Sequence, residues 1–425
     1  MSRREDCKVP QIRFKGFHSE WIEKSLGELC EPLEYGLNAA SVKFDGKNKY
    51  LRITDIDDAS RTFIYKDLTS PKIDLALSQS YLLKKGDIVF ARTGASVGKT
   101  YIYKEEDDHV FFAGFLIRAR VKAVEDASFI FQNTLTKRYR DFVKLTSQRS
   151  GQPGINAREY SSFSFLCPSE QEEKNEIGKC FKELDQLIQQ HQHKHEKLMA
   201  LKKSMHQKMF PQPGATTPEI RFKGFSEEWV EKKLGELMPI TSAARVHKHE
   251  WTRSGVPFFR TSDVVSLYKG EKNEMTFISL DLYEKLSEKI GRIKCGDILI
   301  TGGGSIGIPF LAKSDDPLYF KDADLLWLKV PESIDSIYLY TFFSSAPFRR
   351  YVGSISHIGT IGHYTVEQAK KTPITIPLQA EQKKIGAYFR QLDELIFRHA
   401  TQLEKLKQVK AACLEKMFVS VTKLP

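Results

Sequence analysis

Two glycine-rich stretches carry the residue types and spacing that come closest to catalytic motifs. Residues 92–100 read RTGASVGKT, and residues 301–307 read TGGGSIG. The first ends in Gly-Lys-Thr after a predicted strand, as phosphate-binding loops do. That motif needs a glycine at position 93, where this chain has Thr93, and the second stretch lacks the Lys-Thr pair. A P-loop-like NTPase acting through Gly98-Lys99-Thr100 therefore remains only as an alternative.

Both stretches also spell Gly-x-Ser-x-Gly, the pattern of a hydrolase nucleophile elbow, around Ser96 and Ser305. A hydrolase needs one such elbow, together with an acid and a histidine that serve it. Two elbows without an evident shared triad argue against that chemistry. A third interpretation fits both stretches, because glycines allow a backbone to approach a partner closely while Ser and Thr donate to phosphates or base edges. The structural alternative is a tight turn between strands.

The charge balance is compatible with an anionic partner. The chain has 425 residues, a net charge of +11 and a pI of about 9.1. Nucleic acid and acidic membrane surface are the usual partners of such a protein, although many ordinary soluble proteins are also basic. Nucleic-acid binding needs Arg, Lys, Asn, Gln, Ser or Thr side chains on loops and strand ends at a concave basic face. The residues that qualify are Arg52, Thr54, Arg92, Thr93, Ser96, Lys99, Arg149, Gln152, Arg158, Arg260, Ser262, Thr301, Ser305, His357 and His363.

The histidines and cysteines do not predict a metal site. His191 and His195 share one face of a predicted helix and could chelate a metal, but polar positions that set the register of a helix pair explain them better. The six cysteines are scattered without a Cys-x-x-Cys pair, which favours reduced thiols in a cytosol. No apolar run approaches the roughly 18 residues of a membrane span, and the first ten residues do not resemble a secretory signal. We therefore expect a cytoplasmic protein without membrane contact.

The glycine-rich stretches and the candidate contact residues lie within a long internal duplication. Residues 12–29 read IRFKGFHSEWIEKSLGEL, and residues 220–237 read IRFKGFSEEWVEKKLGEL, so 14 of the 18 aligned positions are identical. The offset of 208 residues is too long for a solenoid repeat and indicates two copies of a whole domain.

Matching elements follow the signature in each copy. Residues 50–56 and 258–264 are predicted strands, and each contains an Arg with a hydroxyl residue two positions later. Gly86-Asp87 and Gly296-Asp297 predict turns that lead into buried strands, which end at the two glycine-rich stretches. Helical stretches at 128–143 and 334–350 follow, then polar loops at 147–152 and 356–361, and closing strands that end at Pro168 and Pro377.

Each globular part is followed by a long helix with a heptad seam over about four heptads. The apolar seam positions are Ile177, Phe181, Leu184, Ile188 and Leu198 in the first helix, and Ile385, Phe389, Leu392, Ile396, Leu403 and Leu406 in the second. Polar residues interrupt both seams at repeat positions, as His191 and His399 do. A lone one-sided helix of this length is unstable in water, so each helix is expected to pair with the other. Antiparallel pairing would give the chain internal pseudo-twofold symmetry and place His195 near His399.

With these features, the chain resembles the specificity subunit of a type I restriction–modification system. The resemblance covers essentially the whole sequence. Its motifs are the Pro-x-Ile-Arg-Phe-x-Gly-Phe opening with a downstream Trp, the Gly-Asp-Ile strand before the glycine-rich stretch, and the Glu381-Gln382-x-x-Ile385 start of the second helix. In the first copy, extra residues separate Glu170-Gln171 from Ile177.

The resemblance implies an α+β fold with two similar mixed α/β target-recognition domains, each followed by a long helix of an antiparallel coiled coil. The expected boundaries are recognition domain 1 at 1–168, the central helix at 169–210, a linker at 211–218, recognition domain 2 at 219–377 and the C-terminal helix at 378–425. Each domain would read one half of an asymmetric bipartite sequence in double-stranded DNA, and the helices would set the gap.

The resemblance also implies partners. Two methyltransferase subunits, and two restriction subunits in the full enzyme, would dock on this chain, which would itself be non-catalytic. S-adenosylmethionine, ATP and Mg²⁺ would be bound by those partners, and no cofactor by this chain. The rival of another class is a non-catalytic coiled-coil scaffold whose globular domains bind peptide.

Overall fold

The computed structural model of the chain describes residues 8–123, 126–148, 151–212, 214–356 and 362–419. The chain divides into two compact units. Unit 1 comprises residues 1–192 and 401–425, and unit 2 comprises residues 193–400. Each unit therefore contains one globular part and segments of both long helices.

Unit 1 is built from short strands and helices, and its last helix continues into unit 2. The elements are β1 Ile22–Ser25, α1 Leu26–Leu29, β2 Glu34–Tyr35, β3 Ser41–Lys43, β4 Lys49–Leu51, β5 Thr69–Pro71, β6 Asp87–Ala91, β7 Thr100–Ile102, β8 Val110–Phe112, β9 Leu116–Arg120, α2 Ala127–Asn133, α3 Lys137–Thr146, α4 Ala157–Ser161, β10 Ser164–Cys167 and α5 Gln171–Lys208.

Unit 2 repeats this order with two added helices, which follow its fourth and fifth strands. The elements are β11 Val230–Lys233, α6 Leu234–Leu237, β12 Ile240–Ser242, β13 Trp251–Thr252, β14 Val256–Phe259, α7 Thr261–Lys269, β15 Thr276–Ile278, α8 Leu280–Ile290, β16 Ile298–Thr301, β17 Pro309–Leu311, β18 Tyr319–Phe320, β19 Leu325–Leu328, α9 Ser336–Phe342, α10 Ala346–Ser356, α11 Val366–Lys371, β20 Pro373–Ile376 and α12 Gln379–Lys416.

The two globular parts share one sheet topology. Four strands follow the order β2-β9-β6-β7 in unit 1 and β12-β19-β16-β17 in unit 2, with all neighbours antiparallel. A parallel pair, β4 with β8 or β14 with β18, lies outside this sheet. The first and last strands of each part pair antiparallel, as β1 with β10 and β11 with β20. The mixed α/β fold in two similar copies is thus confirmed.

The predicted turns before the central strands are present. Gly86 and Gly296 have φ values of 88° and 94°, a region that favours glycine. The aspartate that follows each glycine accepts a 2.9 Å hydrogen bond from the N–H of Lys84 or Lys294. This hydrogen bond closes the turn that precedes strand β6 in unit 1 and strand β16 in unit 2.

Two of the predicted strands are shorter than the alternation suggested. The prediction of a strand over 50–56 is wrong beyond Leu51, because residues Ile53–Asp55 form a 3-10 turn. The carboxylate of Asp55 accepts hydrogen bonds from the N–H and guanidinium of Arg52, which bends the backbone there. In unit 2 the strand likewise ends at Phe259, and helix α7 begins at Thr261.

The predicted helical stretches at 128–143 and 334–350 each contain two helices. The first pair, α2 and α3, is separated at residues 134–136, where the Thr134 and Thr136 hydroxyls donate to the preceding backbone carbonyls. The Thr136 hydroxyl also caps α3 by accepting from Tyr139 N–H. Side-chain hydrogen bonds of this kind compete with a continuous helix.

The long helices α5 and α12 each contain 38 residues, a length of about 57 Å at 1.5 Å per residue. In unit 1, Lys410 Nζ lies 2.6 Å from the Asp185 carboxylate, and Phe418 packs on Phe181. In unit 2, Lys202 Nζ lies 2.5 Å from the Asp393 carboxylate, and the His206 ring packs on Phe389.

Within each unit the two helix segments therefore run antiparallel, since a higher residue number on one helix meets a lower number on the other. Every predicted seam position of both helices is buried or half-buried, whereas most positions between them are exposed. Among the described helices, none combines the length and apolarity that crossing a membrane requires.

The duplicated signature docks on the helix ends. Ile12 N–H donates to Lys416 O at 3.0 Å in unit 1, and Ile220 N–H donates to Lys208 O at 2.9 Å in unit 2. The apolar cores include the same helix ends, with Met417 and Phe418 in unit 1 and Met209 and Phe210 in unit 2. The signature thus joins each globular part to the end of a long helix.

Candidate nucleic-acid interface

Each unit places its glycine-rich stretch in a hairpin at the end of a central strand. In unit 1 the hairpin joins β6 to β7, and in unit 2 it joins β16 to β17. Gly98 N–H donates to Ala91 O at 3.0 Å, and Gly307 N–H donates to Thr301 O at 2.8 Å. Both glycines have positive φ, 82° and 75°, so the sequence requires glycine at this turn.

A buried tyrosine holds the hairpin of unit 1. The Tyr160 hydroxyl donates to Ala91 O at 2.7 Å and accepts from Gly98 N–H at 3.1 Å. Burial raises the pKa of Tyr160, so the hydroxyl stays protonated and keeps donating at physiological pH. The hairpin backbone is therefore fixed from inside, and its Thr93 and Ser96 side chains are half-buried.

The hairpin of unit 1 lies beside residues 152–155. Gly94 N–H donates to Pro153 O at 3.0 Å, and Ile155 N–H donates to Arg92 O at 2.9 Å. A Cβ atom at Gly94 would lie 3.0 Å from Gln152 Nε2, so the exposed Gln152 amide packs against this glycine. The structure thus brings Gln152 together with the Thr93 and Ser96 region, which are 56 or more residues earlier in the chain.

Arg92 is held by an aromatic side chain that the sequence did not single out. Its guanidinium carbon lies 4.9 Å from the centre of the Tyr35 ring, a cation–π geometry. The Tyr35 hydroxyl accepts from Ala157 N–H at 3.2 Å, and the ring is partly exposed. Arg158 lies next along helix α4 and is exposed. No periodic sequence pattern predicts the role of Tyr35, because its partner Arg92 is distant in sequence.

The Gly98-Lys99-Thr100 segment does not form a phosphate-binding loop. Thr100 begins strand β7, whereas such a loop opens a helix. Lys99 Nζ lies 2.7 Å from an Asp58 carboxylate oxygen, and the Thr100 hydroxyl is hydrogen-bonded to the Thr134 hydroxyl at 2.8 Å. The residues that would hold a nucleotide phosphate are therefore engaged within unit 1.

The hairpin of unit 2 carries different side chains. Both backbone polar groups of Gly302 are hydrogen-bonded. Its N–H donates to Asp324 O at 2.8 Å, and its O accepts from Tyr364 N–H at 2.7 Å. A Cβ at Gly303 would lie 3.3 Å from Asp324 Oδ1 and 3.7 Å from His363 Nδ1. The exposed His363 thus lies beside Asp324, an acceptor that the sequence did not single out and that also contacts Lys321 Nζ at 2.5 Å. The exposed Ser305 follows Gly303 by two residues in the same hairpin.

Thr301 does not belong to this surface, and its prediction as a DNA contact is wrong. The side chain is fully buried. Its hydroxyl donates to Ser305 O and accepts from Ile308 N–H at 2.8 Å. The hydroxyl closes the hairpin and has no path to a partner.

Arg52 and Arg260 recur because each forms a pair with an aspartate three residues later. Each guanidinium donates two hydrogen bonds to a carboxylate, of Asp55 at 2.8 Å each and of Asp263 at 2.8 and 3.1 Å. These hydrogen bonds raise the pKa of both arginines. This internal pairing accounts for the repeated Arg, while the hydroxyl residues Thr54 and Ser262 remain exposed beside it.

Two predicted contact residues, Arg149 and His357, lie outside the described residues. Six of the described candidates fall into two clusters. One is the unit 1 cluster around Arg92, Thr93, Ser96, Gln152 and Tyr35. The other is the unit 2 cluster around Ser305, His363 and Asp324.

The sequence was compared with protein families and with known proteins. A family model described as the type I restriction modification DNA specificity domain matches residues 18–200 and again residues 226–408. A putative type I restriction enzyme specificity subunit of Haemophilus influenzae, S.HindORF215P, is 28% identical over 165 residues, which cover 38% of this chain and 40% of that relative. The MjaVIII type I restriction enzyme specificity subunit of Methanocaldococcus jannaschii is 23% identical over 369 residues, 81% of each chain.

The fold has a solved counterpart. The S subunit of a type I restriction–modification system from M. genitalium superposes with a TM-score of 0.65 at 14% sequence identity, over 97% of this chain and 100% of that one. At that identity the likeness concerns the fold alone. The two family-model matches cover most of the chain, one on each copy of the duplication. The chain therefore belongs to the family of type I restriction–modification DNA specificity domains, and it carries that domain twice.

Proposed function

We propose that this chain is the DNA-reading, non-catalytic subunit of a type I restriction–modification enzyme. Each recognition domain reads one half of an asymmetric bipartite target, through the unit 1 cluster and the unit 2 cluster. The observation that carries the proposal is the pair of matching hairpins. Their backbone hydrogen bonds are alike, but one presents Arg92 and Gln152 and the other presents His363 and Asp324. A shared scaffold with different side chains at its hairpins suits two different sequences.

The side chains have the chemistry that base recognition needs. An exposed glutamine amide can pair with adenine by two hydrogen bonds, arginine pairs with guanine, and a carboxylate accepts from cytosine. A well-placed pair of this kind contributes about 1–3 kcal/mol of discrimination against the wrong base. The surplus of Lys and Arg supplies phosphate contacts, so the overall affinity falls as salt rises.

The proposal extends to partners and to the long helices. Two methyltransferase subunits dock on the chain, and two restriction subunits join them in the full enzyme. Those partners bind S-adenosylmethionine, ATP and Mg²⁺. The paired helices α5 and α12 set the length of the unread gap between the two half-sites, and the whole assembly acts on DNA in the cytoplasm.

Selection from a duplex library with randomised bases tests this function. The chain in complex with its methyltransferase subunit should enrich a two-part sequence separated by a fixed, unselected gap. Exchange of residues 219–376 for those of another family member should change only one part of that sequence. Enrichment of no sequence by an intact complex would favour the scaffold alternative and would refute DNA reading.

A further inference from the structure

Phe115 presents an aromatic ring to solvent beside the unit 1 cluster. Its side chain is 60% exposed, and it lies outside the apolar cores that the described residues of unit 1 form. Its backbone is fixed, since its O accepts from Arg92 N–H at 3.0 Å and the next residue, Leu116, is fully buried at the start of β9. The fold therefore fixes where this ring emerges, although the ring is not part of a core.

The register of the sheet places Phe115 at the same end as Arg92 and Tyr35. Ile117, two residues after Phe115, pairs with Tyr35 in β2, and Arg92 is hydrogen-bonded to Phe115 itself. A single exposed apolar residue is common on protein surfaces, so the position of Phe115 is the informative feature. A phenyl ring, a guanidinium and a phenol thus emerge together where β6 leads into the hairpin.

In unit 2, Asp324 occupies the position of Phe115. Asp324 O accepts from the N–H of the first residue after β16 at 2.8 Å, as Phe115 O accepts from the first residue after β6. In both units the following residue is a buried leucine, Leu116 or Leu325, which pairs with the last residue of the central strand. The scaffold therefore accepts either side chain at this position, and folding does not require a phenyl ring there.

The two side chains differ in the base edges that they can recognise. Phenylalanine makes apolar contact with the 5-methyl group that thymine presents in the major groove, whereas aspartate accepts from the amino group of cytosine. A phenyl ring has no hydrogen-bonding group, so the thymine methyl is the group on a base edge that suits it. The exposed ring of Phe115 therefore has the chemistry of a thymine contact.

We propose that Phe115 is a specificity-determining residue, which packs on the 5-methyl group of a thymine in the half-site that unit 1 reads. This inference rests on the proposed function and adds to it a chemical group of the target. The thymine lies on either strand of the duplex, next to the bases that Arg92 and Gln152 contact. The half-site of unit 2 has no such requirement, because Asp324 stands at the matching position.

Deoxyuridine, which is thymidine without the 5-methyl group, tests this contact. Duplex selection with the complex of this chain and its methyltransferase subunit first gives the motif, and the half that survives exchange of residues 219–376 belongs to unit 1. Each thymine of that half is then replaced in turn by deoxyuridine. At one position the wild-type complex should bind about fourfold more weakly, as expected when one methyl group is no longer buried.

Phe115→Ala should bind the thymine and deoxyuridine duplexes equally, and its melting temperature should equal that of the wild type because the ring is exposed. Phe115→Leu keeps an apolar side chain and should retain part of the difference between the duplexes. Leu77→Ala is a matched control, because Leu77 is an apolar residue of unit 1 that is 85% exposed and lies outside the unit 1 cluster. It should keep the full difference.

Three results would overturn the inference while leaving DNA reading intact. They are a unit 1 half-site without a thymine, a wild type that does not respond to deoxyuridine, and an equal response of wild type and Phe115→Ala. The last result, combined with weaker binding of both duplexes by Phe115→Ala, would identify the ring as a wedge between base steps. Failure of an intact complex to select any motif would refute the proposed function, and this inference with it.

Discussion

Arg221 donates two hydrogen bonds, each 2.8 Å long, to the buried carboxylate of Glu381, which lies 160 residues further along the chain. In unit 1, Arg13 makes the same bidentate contact with Glu173, at 2.6 and 2.7 Å. The arginine of the duplicated signature thus fixes the start of the long helix that follows its own domain. This contact explains why the signature contains an arginine at that position in both copies.

Removal of the Arg221 side chain should destabilise unit 2 strongly. Arg221→Ala leaves the Glu381 carboxylate buried without its cation, a change that costs about 3–5 kcal/mol. Arg13→Ala should cost less, because Glu173 keeps a 3.2 Å hydrogen bond from Trp21 Nε1. Urea unfolding measures whether Arg221→Ala loses more free energy of unfolding than Arg13→Ala does. Arg253→Ala, at an exposed position, serves as the control and should stay within about 0.5 kcal/mol of the wild type.

The hairpin of unit 1 should not tolerate a side chain at Gly98. Gly98→Ala places a Cβ 2.6 Å from Val143 Cγ1 at a φ of 82°, so both the clash and the backbone conformation destabilise it. The expected loss is about 2–5 kcal/mol. Gly46→Ala is a matched control, because Gly46 has a φ of 92° but no atom within 4 Å of the added Cβ. It should lose only about 1–2 kcal/mol in the same thermal or urea assay.

His206 should make the stability of unit 2 depend on pH. Burial first, and then the positive charges of Lys202 and Arg349, lower the pKa of His206 to about 3 from its usual 6.5. The unfolded chain therefore binds a proton below pH 6.5 that the folded chain does not. Stability should fall as pH drops from 6.5 towards 3, with a slope of up to about 1.4 kcal/mol per pH unit.

The variant His206→Leu isolates this contribution. Its unfolding free energy should lose that part of the pH dependence between pH 6.5 and 5, whereas His363→Ala, at an exposed position, should keep it. An identical pH profile for wild type and His206→Leu would mean that His206 is protonated in the folded chain.

Some of these relationships could be predicted from sequence and others could not. The duplication is visible as sequence identity at a fixed offset, and the helix seam as a local heptad period. Residues such as Phe181 and Phe389 could therefore be assigned to the buried face in advance. The strand over 50–56 was wrong because the Arg52–Asp55 contact overrode the alternation. Tyr35 beneath Arg92 was missed because that packing joins segments that no pattern links. Thr301 was assigned to the surface because its chemistry, but not its burial, was visible in the sequence.

Lengthening both long helices should widen the gap in the DNA target. Insertion of seven residues after Gln192 and after Ala400 preserves the heptad phase and adds about 10 Å of helix, or about three base pairs of DNA. The unread gap found by duplex selection should grow by about that number while both half-sites stay the same. A two-residue insertion rotates the seam out of phase and should instead destabilise the chain. An unchanged gap in a stable seven-residue variant would contradict the spacer role.

Mapping of methylated bases in cells that co-express this chain and its methyltransferase subunit tests most directly whether the two domains read separate half-sites. The wild type should give one gapped, two-part motif. Gln152→Ala in the unit 1 cluster should relax a position in one half only, and His363→Ala in the unit 2 cluster should relax a position in the other half only. A motif without two parts, or both variants altering the same half, would contradict the assignment of one half-site to each domain.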